Sequence, residues 1–391
     1  MSDLLVPTDE SGIAAAVAAA HAAREPLAIE GNGSKRGLLR PVQAARTLST
    51  RNLAGITLYR PGELVISARA GTLVAEIAAA LAEKGQHLIA EPPDTRALFG
   101  TEAEATIGGI VAANLSGPRR IAGGAMRDHL LGIRFVNGRG EILRSGGRVL
   151  KNVTGLDLCK LLAGSYGTLG VITEVTLKVL PAPQTEATVA VRVGGLAAGV
   201  RVLSAGLGSP FGVSGAALLP AEAGAEAVLR IEDFAPSVAY RSGRLAQQLA
   251  ALGEVRVLGE EESRARWRAI RDAEPLGARA EEAVWRVSVR PSAGPGVAAA
   301  AAGLGGRVLL DWGGGLVWVA GPATAEAHGA LAQAAMAARG TCTLFRGPEA
   351  LRLAVPVLPE EPPPLAAIAR RVKAALDPAG ILNPGRMRAG F

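Results

Sequence analysis

Two glycine-rich segments carry residue types suited to a phosphorylated ligand: GNGSKRG at 31–37 and TIGGIVAANLSGPRRIAGGAMRDHLLG at 106–132. Glycine lets a backbone approach a ligand closely and turn its amides toward an anion, while lysine and arginine add charged donors. The first segment joins Gly31, Asn32 and Gly33 to Ser34 and Lys35. The second sets Thr106, Ile107, Gly108 and Gly109 ahead of Ala112, Asn114, Ser116, Gly117 and Arg119, and it ends near Arg127 and Asp128. The chemistry is that of a cradle for a phosphorylated cofactor. It is not the Rossmann fingerprint, because Arg36 stands where the third glycine belongs and Pro41 interrupts the helix that should follow.

The elements that must position these loops can be read from periodicity and punctuation. Residues 8–24 predict an alanine-rich helix capped by Thr8, and LAIE at 27–30 predicts the strand that delivers the first loop. ELVISARA at 63–70 alternates as a strand, LVAEIAAALAEKG at 73–85 reads as a helix ending at Gly85, and QHLIA returns as a strand. A hairpin is expected around Asn137-Gly138, and another strand within 167–181. Pro181 and Pro183 mark a boundary, beyond which strand-like and alanine-rich helical segments alternate, the pattern of an antiparallel sheet with helices. Near the end, Leu365, Ile368, Val372 and Leu376 fall on one helical face.

Composition narrows the function classes. A chain of 391 residues with 49% apolar content predicts two globular domains. The charge of +7 would permit contact with nucleic acid, but EEESRARWRAIRD at 260–272 mixes both signs as a solvated helix face does, and no basic stripe is interleaved with stacking aromatics. Two cysteines, Cys159 and Cys342, are too few for a four-cysteine zinc site or a cluster held by this chain alone. The start, MSDLLVPTDE, lacks the cationic segment of a signal peptide, so a cytoplasmic location is expected, peripheral to the inner membrane only through partners.

In order and spacing these two segments and a third, LLAGSYGTLGVITEV at 161–175, resemble the vanillyl-alcohol-oxidase, or PCMH-type, FAD-binding flavoproteins. With the C-terminal DPAGILNPGRM they are most similar to the FAD-binding subunits of bacterial glycolate oxidases. The resemblance implies an α+β, two-domain PCMH-type fold. Residues 1–181 would bind FAD, and 182–391 would form a smaller substrate or cap domain, an antiparallel sheet with helices, whose C-terminal segment returns to the flavin.

It implies that the first loop and the segment into Gly108 and Gly109 offer amides to the pyrophosphate. Gly164, Ser165, Gly167, Thr168, Gly170 and Ile172 would pass the cofactor, with Ile172 near the adenine. Asn383 would reach the flavin side. Arg119, Arg127 and Asp128 are contacts or supports, although the last two also read as an ion pair. Relatives attach FAD covalently through a histidine in the first loop or a cysteine in the second; neither is present, so FAD is expected to be non-covalent. His129 and Cys159 read as structural.

The implied reaction takes glycolate, or a similar small 2-hydroxy acid, to its oxo acid, with electrons passing to a partner. The implied partners are a larger flavoprotein subunit and an iron–sulfur subunit. Arg286, Trp312 and Arg346 are the pocket candidates, and no metal is expected, since only His328 lies beyond residue 180. Two rival readings are a stand-alone FAD-dependent dehydrogenase of a 2-hydroxy acid or sugar alcohol, active alone with a dye, and a redox-inactive structural subunit.

Overall fold

The computed structural model describes residues 3–147, 156–221 and 224–390. They form two compact units. Unit 1 comprises Met1–Ser116, Ala125–Ala182 and Glu360–Phe391, and unit 2 comprises Gly117–Gly124 and Pro183–Pro359. The sequence division near residue 181 therefore meets two exceptions: the last 32 residues belong to unit 1, and eight residues of the second glycine-rich segment belong to unit 2.

Unit 1 opens with a parallel sheet of β1 (Asp3–Leu5), β2 (Leu27–Glu30) and β3 (Arg46–Ser49), in the order β1-β3-β2. The helix Glu10–Ala23 contributes Ile13, Val17 and Ala20 to a core shared with Leu27, Leu48, Val136, Val171 and Leu382. Its cap is Asp9 rather than Thr8: Asp9 has extended backbone and its carboxylate accepts from the Gly12 amide at 2.7 Å, whereas Thr8 lies one residue too early.

The second sheet of this unit is antiparallel. It contains β4 (Ile56–Arg60), β5 (Val65–Arg69), β7 (Leu130–Val136), β8 (Ile142–Gly146) and β9 (Val171–Lys178), in the order β4-β5-β9-β7-β8. Of the expected strand QHLIA only β6 (Gln86–His87) forms, paired with β10 (Leu180–Pro181). The helix before it runs Val74–Ala82. The expected hairpin forms from β7 and β8, which close at Val136 and Ile142, so its turn is the five residues 137–141. Asn137 organises this turn by accepting from the amides of Arg139 and Glu141, and Gly138 admits Asp377, which a Cβ would meet at 2.4 Å.

Unit 2 is built on one antiparallel sheet of β11 (Thr185–Val193), β12 (Gly215–Ala221), β13 (Gly224–Asp233), β14 (Glu254–Leu258), β15 (Ala283–Ser288), β16 (Arg307–Asp311), β17 (Leu316–Gly321) and β18 (Thr341–Arg346). The order is β14-β11-β13-β12-β16-β17-β15-β18. The helix Leu196–Leu207 lies against it closely because Gly199 and Gly206 make room for Leu218 and Leu229. This is the expected α+β architecture of antiparallel sheet and helices.

One helix departs from its pattern. In Pro363–Leu376, Leu365 and Ile368 of the shared apolar face are each 55% exposed, and Lys373 is the one buried residue. The Lys373 ammonium donates to Thr168 O, Leu382 O and the Asp377 carboxylate at 2.7–3.0 Å, so hydrogen bonding rather than hydrophobic burial fixes this helix. Among the described residues no helix is long and apolar enough to cross a membrane.

Candidate cofactor-binding site

Within unit 1, strand β2 delivers the first loop at Gly31, and the loop meets the second segment immediately. A Cβ on Gly31 would lie 2.2 Å from Thr106 Oγ1, so only glycine allows this approach. Asn32 donates from Nδ2 to Glu104 O at 3.3 Å, and Ser49 donates to Gly31 O at 2.6 Å. Gly33 has a left-handed φ of 75°. Among the described residues, the amides of Asn32, Gly33, Ser34 and Lys35 donate to no protein acceptor. Four consecutive uncommitted amides are the donor set of an anion nest.

Lys35 adds a charge to this set. Its Nζ donates to the buried Ser34 hydroxyl at 2.9 Å and lies 3.5 Å from where a Cβ on Gly109 would stand. Desolvation pulls its ammonium down to about 8, against an opposing pull from Asp94. A desolvated lysine hydrogen-bonded to a hydroxyl is suited to an anionic ligand.

The second segment contributes differently from expectation. Thr106 caps the helix Ile107–Ala113, its side chain accepting from Gly109 N at 3.3 Å. The amides of Ile107, Gly108 and Ile110 donate to Thr72 O, Ala70 O and Thr106 O. The first turn is therefore spent within the protein, which corrects the expectation that Gly108 and Gly109 supply free amides. Gly108 instead allows contact with Ala70, whose Cβ and carbonyl oxygen a side chain would meet at 2.6 and 2.9 Å.

The third segment joins the same assembly. Gly164 N and Tyr166 N donate to Val111 O and Ala112 O, and Thr168 Oγ1 donates to Ser165 O. Gly167, at φ 74°, leaves space for Asn383, whose Nδ2 a Cβ would meet at 2.8 Å. Asn383 itself accepts from Ile29 N at 2.7 Å and donates to Tyr166 O at 2.8 Å, so it ties β2 to the third segment. Gly170 permits contact with Phe135, and Ile172 stands in β9 opposite Phe135.

Other predicted residues are structural in their visible contacts. Asn114 accepts from Arg127 N, and Ser116 Oγ accepts from Met126 N. Arg127 and Asp128 pair at 3.7 Å on the surface, with Asp128 also accepting from Ala125 N.

Gly117 and Arg119 fall in unit 2. There Arg119 pairs with Glu232, which also takes Ser214 and Arg230; these partners hold the Glu232 carboxyl down at about 2 despite its burial. The contact is with a carboxylate 113 residues away, and no local sequence signal announces it.

Unit 2 also brings two of the three pocket candidates together. Arg286 lies over the rings of Trp312, Trp318 and Phe345 at 4.9–5.6 Å, and Arg120 lies 4.8 Å from the Trp312 centroid. Trp312 holds a left-handed φ of 54° and donates from Nε1 to Gly117 O at 3.1 Å. Arg346 donates to Arg279 O and Glu282 O, a support for the chain before β15. His328 accepts from the buried Trp285 indole through Nδ1, and burial lowers its pKa.

Sequence reasoning passed over Thr95 and Arg386. Among the described residues the Thr95 hydroxyl is buried without a hydrogen-bond partner, as is that of Ser165. The signal for Thr95 was the polar Asp94-Thr95 after two prolines. Buried orphan hydroxyls, a nest of open amides and a desolvated ammonium fit a dinucleotide cofactor with a diphosphate.

Comparison with known proteins agrees with this chemistry. A family model described as "FAD binding domain" matches residues 3–146. The chain is 37% identical to the glycolate oxidase subunit GlcE of Escherichia coli over 366 residues, 94% of this chain and 93% of that protein. It is 31% identical over 182 residues to the glycolate oxidase subunit GlcD of Bacillus subtilis, covering 46% of this chain and 37% of that one. A solved alkyldihydroxyacetonephosphate synthase shares the fold, with a TM-score of 0.69 at 16% identity, over 97% of this chain and 76% of that one.

Proposed function

This chain belongs to the family of the glycolate oxidase subunit GlcE, FAD-linked oxidoreductases, and on that premise we propose that it is the FAD-binding subunit of a complex oxidising glycolate to glyoxylate. The observation that carries this reading is the 37% identity along nearly the full length of both chains. Its companions would be a larger GlcD-like flavoprotein and an iron–sulfur subunit.

Bound FAD would supply two-electron oxidation, accepting the hydride from C2 of a small 2-hydroxy acid. The residues that would hold it are those of the three loops. Asn32, Gly33, Ser34 and Lys35 offer amides, and the Lys35 ammonium offers charge, to the diphosphate. The buried hydroxyls of Thr95 and Ser165 await polar partners. Gly31, Thr106, Gly108 and Gly109 hold the loops at close approach, and Asn383 joins the third segment to β2. Neither a histidine in the first loop nor a cysteine in the second is available for covalent attachment, so the cofactor is dissociable. Arg286 and Trp312 are the residues of unit 2 assigned to a small carboxylate, by their guanidinium and aromatic wall.

The test is to purify the chain, record its flavin content, and add glycolate with and without the two companion subunits. Glycolate-dependent dye reduction that requires this chain with its FAD loaded is expected. A complex equally active when this chain is omitted would contradict the proposal.

A further inference from the structure

The first loop is open to an anion only if its carbonyls are held elsewhere. We propose that Arg386, at the far end of the chain, is the positioning residue that does this. Its guanidinium donates from Nη2 to Lys35 O at 2.9 Å and from Nη1 to Arg40 O at 3.1 Å and Arg36 O at 3.4 Å. One cation thus gathers three carbonyls of residues 35–40. Carbonyl oxygens carry partial negative charge and would repel a diphosphate; drawn to a guanidinium, they are neutralised and turned aside. Because each peptide is planar, the held carbonyls of Lys35 and Arg36 fix the planes that carry the amides of Arg36 and Gly37, so Arg386 anchors the chain directly after the four open amides and limits how that stretch can turn.

Arg386 can act in this way because its own segment is anchored independently. Asn383 is bound to Ile29 and Tyr166, and Arg386 N donates to Asn383 O at 3.1 Å. Upstream, the buried Asp377 carboxylate accepts from the amides of Ile381 and Leu382 and from Lys373. The backbone is reciprocal: Arg40 N donates to Arg386 O at 3.2 Å. The C-terminal segment is therefore a rigid arm, and the guanidinium at its end sets the shape of a loop 350 residues earlier.

The inference rests on the first loop being the diphosphate site, and its test separates the two ideas. Arg386→Ala and Arg386→Lys are compared with the wild-type chain by FAD titration of the apoprotein and by amide hydrogen exchange of residues 32–38. Arg386→Ala should weaken FAD binding at least tenfold and speed exchange in that loop at least tenfold. Exchange in the strands of unit 1 should be unaltered. Arg386→Lys, whose ammonium can still reach one or two carbonyls, should recover part of both effects.

Unaltered FAD affinity and loop exchange in Arg386→Ala would overturn the assignment, as would a loss spread evenly over unit 1. A wild-type chain that takes up no FAD would sink the diphosphate reading instead. The loop exchange would then still decide the role of Arg386.

Discussion

Lys35 and Arg119 both lie in glycine-rich segments that look like anion cradles, yet they have opposite fates. Lys35 has a serine hydroxyl as its hydrogen-bond partner and is pulled down to about 8 by desolvation. Arg119 is neutralised by Glu232, within a network that includes Arg230 and Ser214. A cation already paired with a carboxylate has little charge left for a ligand; one hydrogen-bonded to a hydroxyl, with Asp94 only as a Coulombic neighbour, has more of it left. The distinction between binding and structure here lies in what each charge has met.

The largest effect should come from breaking the satisfied pair. Arg119→Met removes one cation from the buried Glu232 and should cost on the order of 3 kcal/mol of stability, read by denaturant unfolding. Intact FAD affinity in the folded fraction would sharpen the contrast, whereas a stable variant that loses FAD would reverse it. The wild-type Glu232, with a folded pKa below its unfolded value, contributes stability that is present above about pH 4.5 and lost as the pH falls toward 2.

Next in size is Gly109→Asp. A side chain here begins beside Lys35 and meets no backbone within 3.4 Å, so the fold should survive while a carboxylate takes the lysine. FAD binding should fall by about 100-fold in an equilibrium titration, of the order expected for misplacing one charge in a phosphate site. Gly108 is unsuitable for the same purpose, since any Cβ would strike Ala70.

Lys35→Met should weaken FAD binding by about tenfold, comparable to one charge-assisted hydrogen bond, without destabilising the apoprotein. Its pH signature is more specific. An anion draws the lysine back toward its ordinary value, so binding takes up a proton above pH 8, and wild-type affinity should decline as the pH rises through about 8. The variant should show no such decline. In the apoprotein the folded pKa lies below the unfolded one, so the penalty of the charged lysine is present below about 8 and disappears as the pH rises toward 10.5. The smallest effect is expected of Thr95→Val, which removes a buried orphan hydroxyl: apo stability should hold or rise, and FAD affinity should fall a few-fold.

Much of this site was legible because glycine, lysine and a chain direction are local facts. Gly31, Gly33 and Lys35 announced a cradle from residue type, and the displaced third glycine ruled out the Rossmann alternative. What escaped depended on partners far along the chain. Nothing near Arg119 names Glu232, nothing near Lys35 names Arg386, and nothing near Thr106 says that its helix amides are taken by Ala70 and Thr72. Leu365 and Ile368 face outward for a related reason: apolar periodicity predicts which residues share a face, but here hydrogen bonds donated by Lys373 choose the buried face.

The most direct test of the central claim, that the loops of unit 1 hold a dissociable FAD, is the absorption spectrum of the purified chain before and after acid precipitation. A flavin spectrum in the native protein, with all of the FAD passing to the supernatant, is predicted. A folded, colourless chain that cannot take up added FAD, or flavin that stays with the pellet, would contradict it.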